Sequence, residues 1–356
     1  MKIAMVGQFP PHIGGVGVHI HTLSKELVKN GHEVYVITYP HNDIEDIDGI
    51  HVIGTSGVNI PGIRGLMFKR NARKALEKLI KGVDIDIIHG HFLFPAGAAA
   101  TDVGSKHNIK TYVTAHGSDM FEMYKKQFFM RPIIKKVLKK ADKIFVVSNA
   151  LKKEIIATGV KEIRNITSLH WNSVDINRFT PDNKNLLENH GKPVVLFVGN
   201  LIKRKNVNLL LEAKKQSEDD YELVVVGDGP LMNELKSKVE KDNIPDVRFL
   251  GSRTDVENII PGCDMLVLPS FSESFGLVLI EALACGKPVI GSNVGGISEI
   301  ITEDVGLLIN PNDSSTLSDA ISKLINDNEF RNKLSANARN RAIDFSKIKI
   351  PYDEVE

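Results

Sequence analysis

Cysteine and long hydrophobic runs are scarce in this sequence, and each scarcity excludes a class of protein. The 356 residues include two cysteines, Cys263 and Cys285, too few for a disulfide framework or a cysteine-based metal cluster. No apolar run is long enough to span a bilayer. Met1–Val6 is a short apolar run before a glycine-rich loop, which predicts a first strand instead of a signal peptide. We therefore expect a reduced, cytoplasmic protein.

Net charge is also nearly absent, but the charges are unevenly distributed. The whole chain carries +1, with 45 Lys and Arg against 44 Asp and Glu. Residues 1–180 hold 25 Lys and Arg and 16 Asp and Glu, a net +9, which leaves 20 and 28, a net −8, for the remainder. A basic first half indicates that this half meets an anionic partner.

Short apolar runs alternate with segments of helical periodicity along most of the chain. This alternation predicts parallel, doubly wound α/β sheets, and 356 residues are enough for two domains. The periodicity stops near residue 165 and restarts at Pro193. The predicted organisation is a first domain over residues 1–175, a linker over 176–192, a second domain over 193–340, and a tail over 341–356 that is a candidate to pack back towards the first domain.

The glycine-rich loop after the first predicted strand lacks the features of two common nucleotide-binding loops. Gly14-Gly15-Val16-Gly17 opens a helix, where backbone N–H groups suit a phosphate, although many such loops are only tight turns. The dinucleotide-binding spacing fails because position 20 is Ile, and no acidic residue closes the second strand at 36–39. The lysine motif of P-loop proteins is absent as well.

The most informative stretch lies between a predicted strand, Asp264–Leu268, and a helix stop, Cys285-Gly286-Lys-Pro288. Glu273 lies in the loop after the strand, at the edge where open α/β sheets bind ligands. A helix that begins near Gly276 offers free N–H groups to a phosphate. Glu281 lies in this otherwise apolar helix, where a buried carboxylate requires hydrogen-bonding partners. The alternative is that both glutamates are solvated or paired with ordinary surface cations.

Three consecutive cations follow the first strand of the second domain. Lys203, Arg204 and Lys205 lie at the ligand edge of the predicted sheet, where they complement a diphosphate. The alternative is a solvated turn. The distinction depends on whether these side chains reach the loop that carries Glu273.

No metal site is predicted. Asp46-Ile-Asp48 and Asp84-Ile-Asp86 have the Asp-x-Asp spacing of some sugar transferases, but the first falls in a predicted surface loop and the second at the amino end of a strand. His89 and His91 stand one residue apart on a strand end without an acidic cluster nearby, which is poor ligand geometry. His116 directly ends a strand at the ligand edge and is a candidate catalytic residue, with an ordinary core or surface histidine as the alternative.

These motifs together resemble the glycosyltransferases of family four, which have the GT-B fold and retain anomeric configuration. The most specific motif is Glu273-(seven residues)-Glu281. The supporting motifs follow in family order along nearly the whole chain: Gly14-Gly15-Val-Gly, Thr114-Ala-His116-Gly-Ser-Asp119, Val147-Ser-Asn149, Asn172-Ser-Val-Asp175, Gly199-(five residues)-Lys205, Val226-Gly-Asp-Gly-Pro230, Val247-Arg-Phe-Leu-Gly251 and Gly295-Gly296. The resemblance implies two Rossmann-like, doubly wound parallel-sheet domains that face a deep interdomain cleft.

The resemblance also implies roles for individual residues. His116 and Glu273 would be catalytic, with Glu273 on the donor sugar and His116 beside its anomeric centre, and Glu281 would hold the ribose. The other donor-binding residues would be Gly15, Arg204, Lys205, Gly229, Leu250, Gly251, Phe275, Gly276 and Leu277, and the acceptor-side residues Gly17, Asp119 and Asn149. Three positions depart from the family pattern: Asn200 replaces a common cation, and Ser173 and Asn206 replace common glycines.

The implied activity is metal-independent, retaining transfer of a hexosyl group from a nucleotide-diphosphate sugar to a hydroxyl acceptor. UDP- and GDP-sugars are favoured as donors, and the acceptor would be a glycan, a lipid-linked molecule or a small molecule. The nucleotide sugar is a co-substrate, and neither a cofactor nor nucleic acid is expected. Two alternatives stay open: a nucleotide-sugar epimerase or hydrolase of the same fold, and a catalytically weak nucleotide-sugar-binding subunit.

Two basic stretches of the first domain, residues 64–81 and 125–143, interleave cations with apolar side chains. They suggest a patch that meets an anionic membrane surface and serves a lipid-linked acceptor, with the protein peripheral at the inner face of the membrane. The alternative is a pair of ordinary amphipathic helices whose apolar faces pack on the first sheet.

Overall fold

The computed structural model describes residues 1–10, 15–40, 46–56, 63–163, 165–168, 174–188, 190–346 and 352. Contacts between Cα atoms divide the chain into two compact units. Unit 1 comprises Met1–Asn172 and Ile348–Glu356, and unit 2 comprises Ser173–Lys347. Each unit has its own parallel sheet and its own buried core.

Unit 1 is built on seven parallel strands in the order β3-β2-β1-β4-β5-β6-β7. Its strands are β1 (Lys2–Val6), β2 (Glu33–Thr38), β3 (His51–Gly54), β4 (Ile87–His91), β5 (Lys110–Ala115), β6 (Lys143–Val146) and β7 (Ile166–Ser168). The direction of winding reverses between β1 and β4, which are neighbours. Loops diverge at such a switch point and leave a crevice at the carboxyl ends of the strands.

Helices cover both faces of the unit 1 sheet. They are α1 (Gly15–Lys29), α2 (Arg64–Leu79), α3 (Ala98–His107), α4 (Arg131–Lys140) and α5 (Asn149–Ile156), with helical turns at Leu93–Gly97, Asp119–Tyr124 and Phe128–Met130. Because side chains alternate along β1, Ile3 and Met5 join one core with α1, and Ala4 and Val6 join another with α2 and α3. Tyr352 of the carboxyl-terminal tail is part of the first of these cores.

Unit 2 repeats the plan with six parallel strands in the order β10-β9-β8-β11-β12-β13. Its strands are β8 (Val194–Val198), β9 (Glu222–Val226), β10 (Val247–Gly251), β11 (Met265–Leu268), β12 (Val289–Ser292) and β13 (Gly306–Ile309). Its helices are α6 (Val207–Gln216), α7 (Met232–Lys241), α8 (Leu277–Ala284), α9 (Ile297–Ile300), α10 (Ser314–Asn326) and α11 (Asn328–Asp344), with turns at Lys203–Lys205, Val256–Asn258 and Ile260–Gly262. The switch point lies between β8 and β11.

Arg339 on α11 connects three parts of unit 2. Its guanidinium donates to the carbonyl oxygens of Ala284 at 2.6 Å, Phe179 at 3.2 Å and Ile176 at 3.1 Å. Ala284 ends α8, so a cation lies where the helix leaves carbonyl groups unpaired and carries partial negative charge. The segment predicted as a linker, residues 176–192, therefore packs as part of unit 2, and Phe179 and Leu187 within it are buried.

The predicted fold class is confirmed, because both units are α/β with doubly wound parallel sheets. The strands predicted at residues 1–6 and 264–268 are present as β1 and β11, each shorter by one residue at its start. The strands β3 and β7 were missed, and β7 falls in a segment that was predicted to lack regular structure. The predicted domain limits differ slightly from the contact division, which falls between Asn172 and Ser173.

Candidate functional site

The switch point of unit 2 places a carboxylate against two cations. Glu273 follows β11, whereas Arg204 and Lys205 follow β8, so the two loops come from the strands on either side of the switch point. The Lys205 ammonium donates to Glu273 Oε2 at 2.5 Å, and Arg204 Nη1 lies 3.5 Å from Glu273 Oε1. Arg204 also donates to the carbonyl of Ser272 at 3.0 Å. We call these three residues the unit 2 ion cluster.

The Glu273 carboxylate is ionised although it is buried. Burial by itself raises the pKa of Glu273, but the charges of Lys205 and Arg204 outweigh burial and hold the pKa below its usual value. The side chain is 8% exposed, and its backbone neighbour Ser274 donates an N–H to Oε1 at 3.2 Å. The carboxylate is therefore oriented and charged before any ligand arrives.

Two glycines hold the loop that carries Glu273. A Cβ on Gly295 would lie 1.9 Å from the carbonyl oxygen of Glu273, and a Cβ on Gly296 would lie 2.4 Å from that of Ser274. Gly295 has a φ of 54°, in the left-handed region that favours glycine, and the N–H of Gly296 donates to the Glu273 carbonyl at 3.0 Å. The loop after β12 therefore packs directly against the backbone of the loop after β11.

The helix α8 begins just beyond the unit 2 ion cluster. Gly276 precedes its first residue with a φ of 106°, which lets the chain turn sharply into the helix. The first turn of α8 has no acidic residue, and the N–H groups at its start carry partial positive charge. Leu277 is partly exposed, and a Cβ on Gly276 would lie 3.7 Å from Glu273 Cγ, so these N–H groups offer an anion site close to Glu273.

Close contacts between glycines also shape the other strand-end loops of unit 2. A Cβ on Gly227 would lie 1.9 Å from the carbonyl oxygen of Gly199, and a Cβ on Gly229 would lie 2.6 Å from that of Leu201. Gly227 donates its N–H to the Gly251 carbonyl at 2.8 Å. The loops after β8 and β9 and the carboxyl end of β10 are therefore in mutual contact, and they contain the predicted donor residues Gly229, Leu250 and Gly251.

Glu281 lies on α8 and titrates near neutrality. Burial is the main cause and raises its pKa from 4.5 to about 7, with Arg178 opposing the rise and Glu257 adding to it. Arg178 itself forms an ion pair with Glu257, with 3.0 Å between Nη2 and Oε2. Glu281 is partly exposed, so a ligand hydroxyl can reach it.

Three histidines meet at the switch point of unit 1. His19 comes from α1, His91 ends β4, and His116 follows β5; one ring nitrogen from each lies within 4.8 Å of the other two. His91 Nδ1 and His116 Nε2 are 3.3 Å apart. Burial, followed by the neighbouring imidazoles, holds the pKa of both His91 and His116 well below the usual value. We call His19, His91 and His116 the histidine cluster.

His89 packs against the histidine cluster, and both of its ring nitrogens are hydrogen-bonded to other residues. Its ring stacks on that of His91 with centroids 4.3 Å apart. Its Nδ1 is hydrogen-bonded to the Tyr352 hydroxyl at 2.5 Å and its Nε2 to Thr114 Oγ1 at 2.7 Å. The tail residue Tyr352 therefore supports the wall of the cluster from within unit 1.

Asp119, which was predicted on the acceptor side, is held by backbone N–H groups within unit 1. It is fully buried, and its Oδ1 accepts N–H groups from Gly117 at 2.8 Å and Met120 at 3.2 Å. Its Oδ2 accepts the N–H of Leu93 at 3.0 Å. Burial raises the pKa of Asp119, and these backbone donors oppose the rise. The carboxylate instead joins the loops after β4 and β5, which carry His91 and His116, so Asp119 is a positioning residue.

The remaining predicted residues have mixed positions. Gly15 is exposed at the first residue of α1, whereas Gly17 is buried inside that helix. Asn149 is exposed at the start of α5. Phe275 is buried and packs against Phe345 with ring centroids 5.8 Å apart. Gly14, Asn172 and Ser173 lie outside the described residues.

Sequence reasoning missed His19 and rejected His91. His19 is a helix residue with no strand-end signal, and only the packing of α1 on the sheet brings it to His91 and His116. The sequence analysis rejected His91 as a metal ligand together with His89. In the structure, His89 is hydrogen-bonded to Tyr352 and Thr114, whereas His91 faces His116. The signal available in the sequence was the position of His91 and His116 at the ends of strands β4 and β5, which are adjacent in the sheet.

Two family models match the chain almost from end to end. The model described as Glycosyltransferase Family 4 matches residues 13–178, and that described as Glycosyl transferases group 1 matches residues 179–341. An uncharacterized glycosyltransferase of Methanocaldococcus jannaschii is 32% identical over 350 residues, which cover 97% of this chain and 94% of that protein. The chain belongs to glycosyltransferase family 4.

Solved structures of this enzyme class share the fold. The sucrose-phosphate synthase of Thermosynechococcus elongatus has a TM-score of 0.86 at 23% identity, covering 97% of this chain and 95% of its own. Anabaena HepE in complex with UDP-glucose has a TM-score of 0.79 at 19% identity, covering 98% of this chain and 96% of its own. The glycosyltransferase thus has the GT-B fold that the resemblance implied.

We predict that Asp119→Asn disturbs the histidine cluster. The amide has one acceptor oxygen, so its NH₂ group must face the N–H of Leu93 or those of Gly117 and Met120, and at least one buried donor is left unpaired. The free energy of unfolding should fall by roughly 1–3 kcal/mol, and the His116 ring resonances should shift in NMR spectra. Glu122→Gln, an exposed change in the same turn, is the control; equal stability and equal spectra for both variants would contradict the positioning role.

We predict that Glu281→Gln changes how stability depends on pH. The pKa of Glu281 is about 7 in the folded protein and 4.5 in the unfolded chain, so between these pH values the folded state binds the Glu281 proton more tightly. The free energy of unfolding of the wild type therefore falls as pH rises from 4.5 to about 7. Glutamine does not titrate, so the free energy of unfolding of the variant, relative to that of the wild type, should rise by roughly 1–2 kcal/mol when the pH is raised from about 5.5 to about 8. Denaturant unfolding at both values measures this. The exposed Glu240→Gln should follow the wild type, and parallel curves for Glu281→Gln would refute a raised pKa.

Proposed function

We propose that the protein transfers a glycosyl group from a nucleotide-diphosphate sugar to a hydroxyl acceptor, with retention of anomeric configuration and without a metal ion. UDP- and GDP-sugars are the proposed donors. The observation that carries the proposal is the unit 2 ion cluster at a sheet switch point, next to the first turn of α8. We further propose that unit 2 binds the donor and unit 1 the acceptor.

The unit 2 ion cluster supplies what a sugar diphosphate requires. Lys205 and Arg204 provide positive charge without a metal, and the N–H groups at Gly276 and Leu277 add donors whose orientation is fixed by the helix. In the free protein the cations are held by Glu273. A bound diphosphate would share them, because Lys205 has three N–H donors and Glu273 occupies one. Glu273 would then direct its carboxylate to hydroxyl groups of the sugar.

The proposed reaction is a substitution on one face of the sugar. The bond between the anomeric carbon and the phosphate oxygen breaks, and its electron pair leaves with the diphosphate. The acceptor oxygen forms the new bond from the same face, while its proton passes to the departing phosphate oxygen. Asp119, the carboxylate closest to His116 in sequence, has both oxygens engaged by backbone N–H groups, which argues against a covalent intermediate on it.

His116 would act as a neutral hydrogen-bonding group. Burial keeps its pKa well below the usual value, so its imidazole is uncharged at neutral pH. A neutral ring can accept or donate one hydrogen bond to a sugar hydroxyl without repelling the positive charge that develops at the anomeric carbon. We propose this contact as its role in catalysis, and Glu281 would bind the ribose hydroxyls of the same donor.

We predict that Lys205→Ala lowers kcat/KM by about 10-fold to 150-fold, since a buried charge-assisted contact contributes about 1.5–3 kcal/mol. Glu273→Ala should abolish transfer while nucleotide still binds. Lys203→Ala, an exposed cation of the same turn, is the matched control and should keep wild-type rates. Transfer is measured with UDP-, GDP- and ADP-sugars, with NMR on the anomeric proton of the product. Wild-type rates in both Lys205→Ala and Glu273→Ala would refute this site.

The same panel separates the alternatives. An epimerase or hydrolase would consume the nucleotide sugar at full rate without an acceptor. A binding subunit would bind nucleotide sugars and turn over none of them, in which case the proposed enzyme activity is wrong. An inverted anomeric configuration in the product would refute the retaining mechanism alone.

The acceptor side of the proposal rests on two exposed aromatic residues. Phe128 is 78% exposed and Phe129 is 59% exposed. Three apolar residues of α4, Ile134, Val137 and Leu138, are buried, so this part of the basic stretch is an ordinary packed amphipathic helix. Four cations lie within seven residues of the two rings along the chain: Lys125, Lys126, Arg131 and Lys135. We therefore propose contact with an anionic lipid surface through Phe128 and Phe129. Among the described residues, no helix has the length and apolar character needed to cross a membrane.

We predict that the protein sediments with phosphatidylglycerol vesicles at low salt and that the double change Phe128→Ser and Phe129→Ser weakens this binding at least about tenfold. Leu186→Ser, which alters an exposed apolar residue of unit 2, is the control. Sedimentation should also fall as salt rises, because the basic side chains contribute. A wild type that stays in the supernatant, or a double variant that sediments like the wild type, would remove the membrane contact.

A further inference from the structure

The histidine cluster has a geometry that its proposed catalytic role does not require. One residue, His116, is enough to contact a sugar, yet three imidazoles converge. The ring centroids are 5.5 Å apart for His19 and His91, 5.1 Å for His19 and His116, and 5.5 Å for His91 and His116. They form a nearly equilateral triangle, with one nitrogen of each ring directed to a common region.

The cluster is chemically distinct from its surroundings. His89, which stacks on His91, has both ring nitrogens engaged by Tyr352 and Thr114 and is not available. The ligating nitrogen of His91 is Nδ1, which faces His116 Nε2, whereas its Nε2 is buried and has no hydrogen-bond partner among the described residues. His19 and His91 are buried, whereas His116 is partly exposed and leaves a route from solvent.

We propose that His19, His91 and His116 form a binding site for a divalent transition-metal ion of the Zn²⁺ class, and that metal bound there inhibits glycosyl transfer. The inhibition rests on the proposed function of His116, whereas the binding does not. The site would be inhibitory because the metal takes the nitrogen lone pair with which His116 would contact the sugar. The proposal is therefore compatible with transfer that needs no metal.

The distances suit an imidazole-ligated ion. Zn²⁺ binds histidine nitrogens at about 2.0–2.1 Å in tetrahedral geometry, which places ligand nitrogens about 3.3 Å apart. His91 Nδ1 and His116 Nε2 already have a separation of 3.3 Å. The other separations, which reach at most 4.8 Å, close by rotation of the side chains. Three protein ligands leave a fourth position for water on the exposed side of His116.

The ligand type selects the class of ion. The cluster offers three nitrogens and no carboxylate, so it discriminates against Mg²⁺, Ca²⁺ and Mn²⁺, which prefer oxygen ligands. Zn²⁺, Co²⁺, Ni²⁺ and Cu²⁺ accept imidazole. Asp119, through its backbone contacts in the loops that carry His91 and His116, fixes the positions of two of the three ligands before metal binds.

The test uses Co²⁺ as a spectroscopic probe on the whole protein. Wild type should bind one equivalent of Co²⁺ and show intense visible absorption typical of a four-coordinate site, and Zn²⁺ should displace it. His19→Ala and the more conservative His19→Gln should each weaken binding at least about 100-fold, a loss of about 2.7 kcal/mol. His107→Ala, which removes an exposed histidine paired with Glu77, should leave binding unchanged. Far-UV circular dichroism confirms that the variants are folded.

The outcomes are distinct. Folded His19 variants that bind Co²⁺ as tightly as the wild type, or a wild type that shows no four-coordinate spectrum, would overturn the site. Zn²⁺ should also inhibit transfer by the wild type, reversibly with a chelator, and Mg²⁺ should not. Metal binding without inhibition, or with activation, would overturn the inhibitory role alone. Failure of transfer with every donor would overturn the proposed function and leave the Co²⁺ result standing.

Discussion

A buried carboxylate between two cations is the interaction on which the candidate donor site depends. Glu273 is stable in its loop only because Lys205 and Arg204 offset the loss of hydration, and this requires that the loops after β8 and β11 lie together. That approach in turn requires Gly295 and Gly296, since any side chain there would collide with the backbone of residues 273–275. The ion cluster, the glycines and the start of α8 are therefore one structural unit.

The switch points of the two sheets carry different kinds of side chain. At the switch point of unit 2 the groups are charged and paired. At that of unit 1 they are imidazoles whose burial disfavours charge, which suits contact with a sugar that becomes positive. The net positive charge of the first half lies elsewhere, on α2 and α4. There, among the residues that the structure describes, a single carboxylate, that of Asp102, lies within 4.0 Å of Lys69, Arg73, Lys136 and Lys140, so the helix surfaces keep excess positive charge.

Buried strands and the donor loop were predictable because their signals are local. The strand β9 contains a continuous apolar run over residues 223–226, and Glu273 and Lys205 were found because strand ends in a parallel sheet share an edge. The strand β3 was missed because none of its residues is buried, and β7 because it is only three residues long. The direction of a side chain in a loop is not a local property. Asp119 faces inward to backbone N–H groups, and His19 joins His91 and His116, only because of how helices and loops pack.

The departures from the family pattern are accommodated by neighbouring residues. Asn206 has a φ of 55°, so the position keeps the left-handed conformation that glycine commonly provides, and asparagine tolerates it better than most residues. Its side chain adds a hydrogen bond to the Pro311 carbonyl at 2.9 Å. Asn200 is exposed and offers no charge, but Arg204 reaches Glu273 from the following turn. The Arg204 guanidinium also donates to the Ser272 carbonyl, which holds this cation beside Glu273.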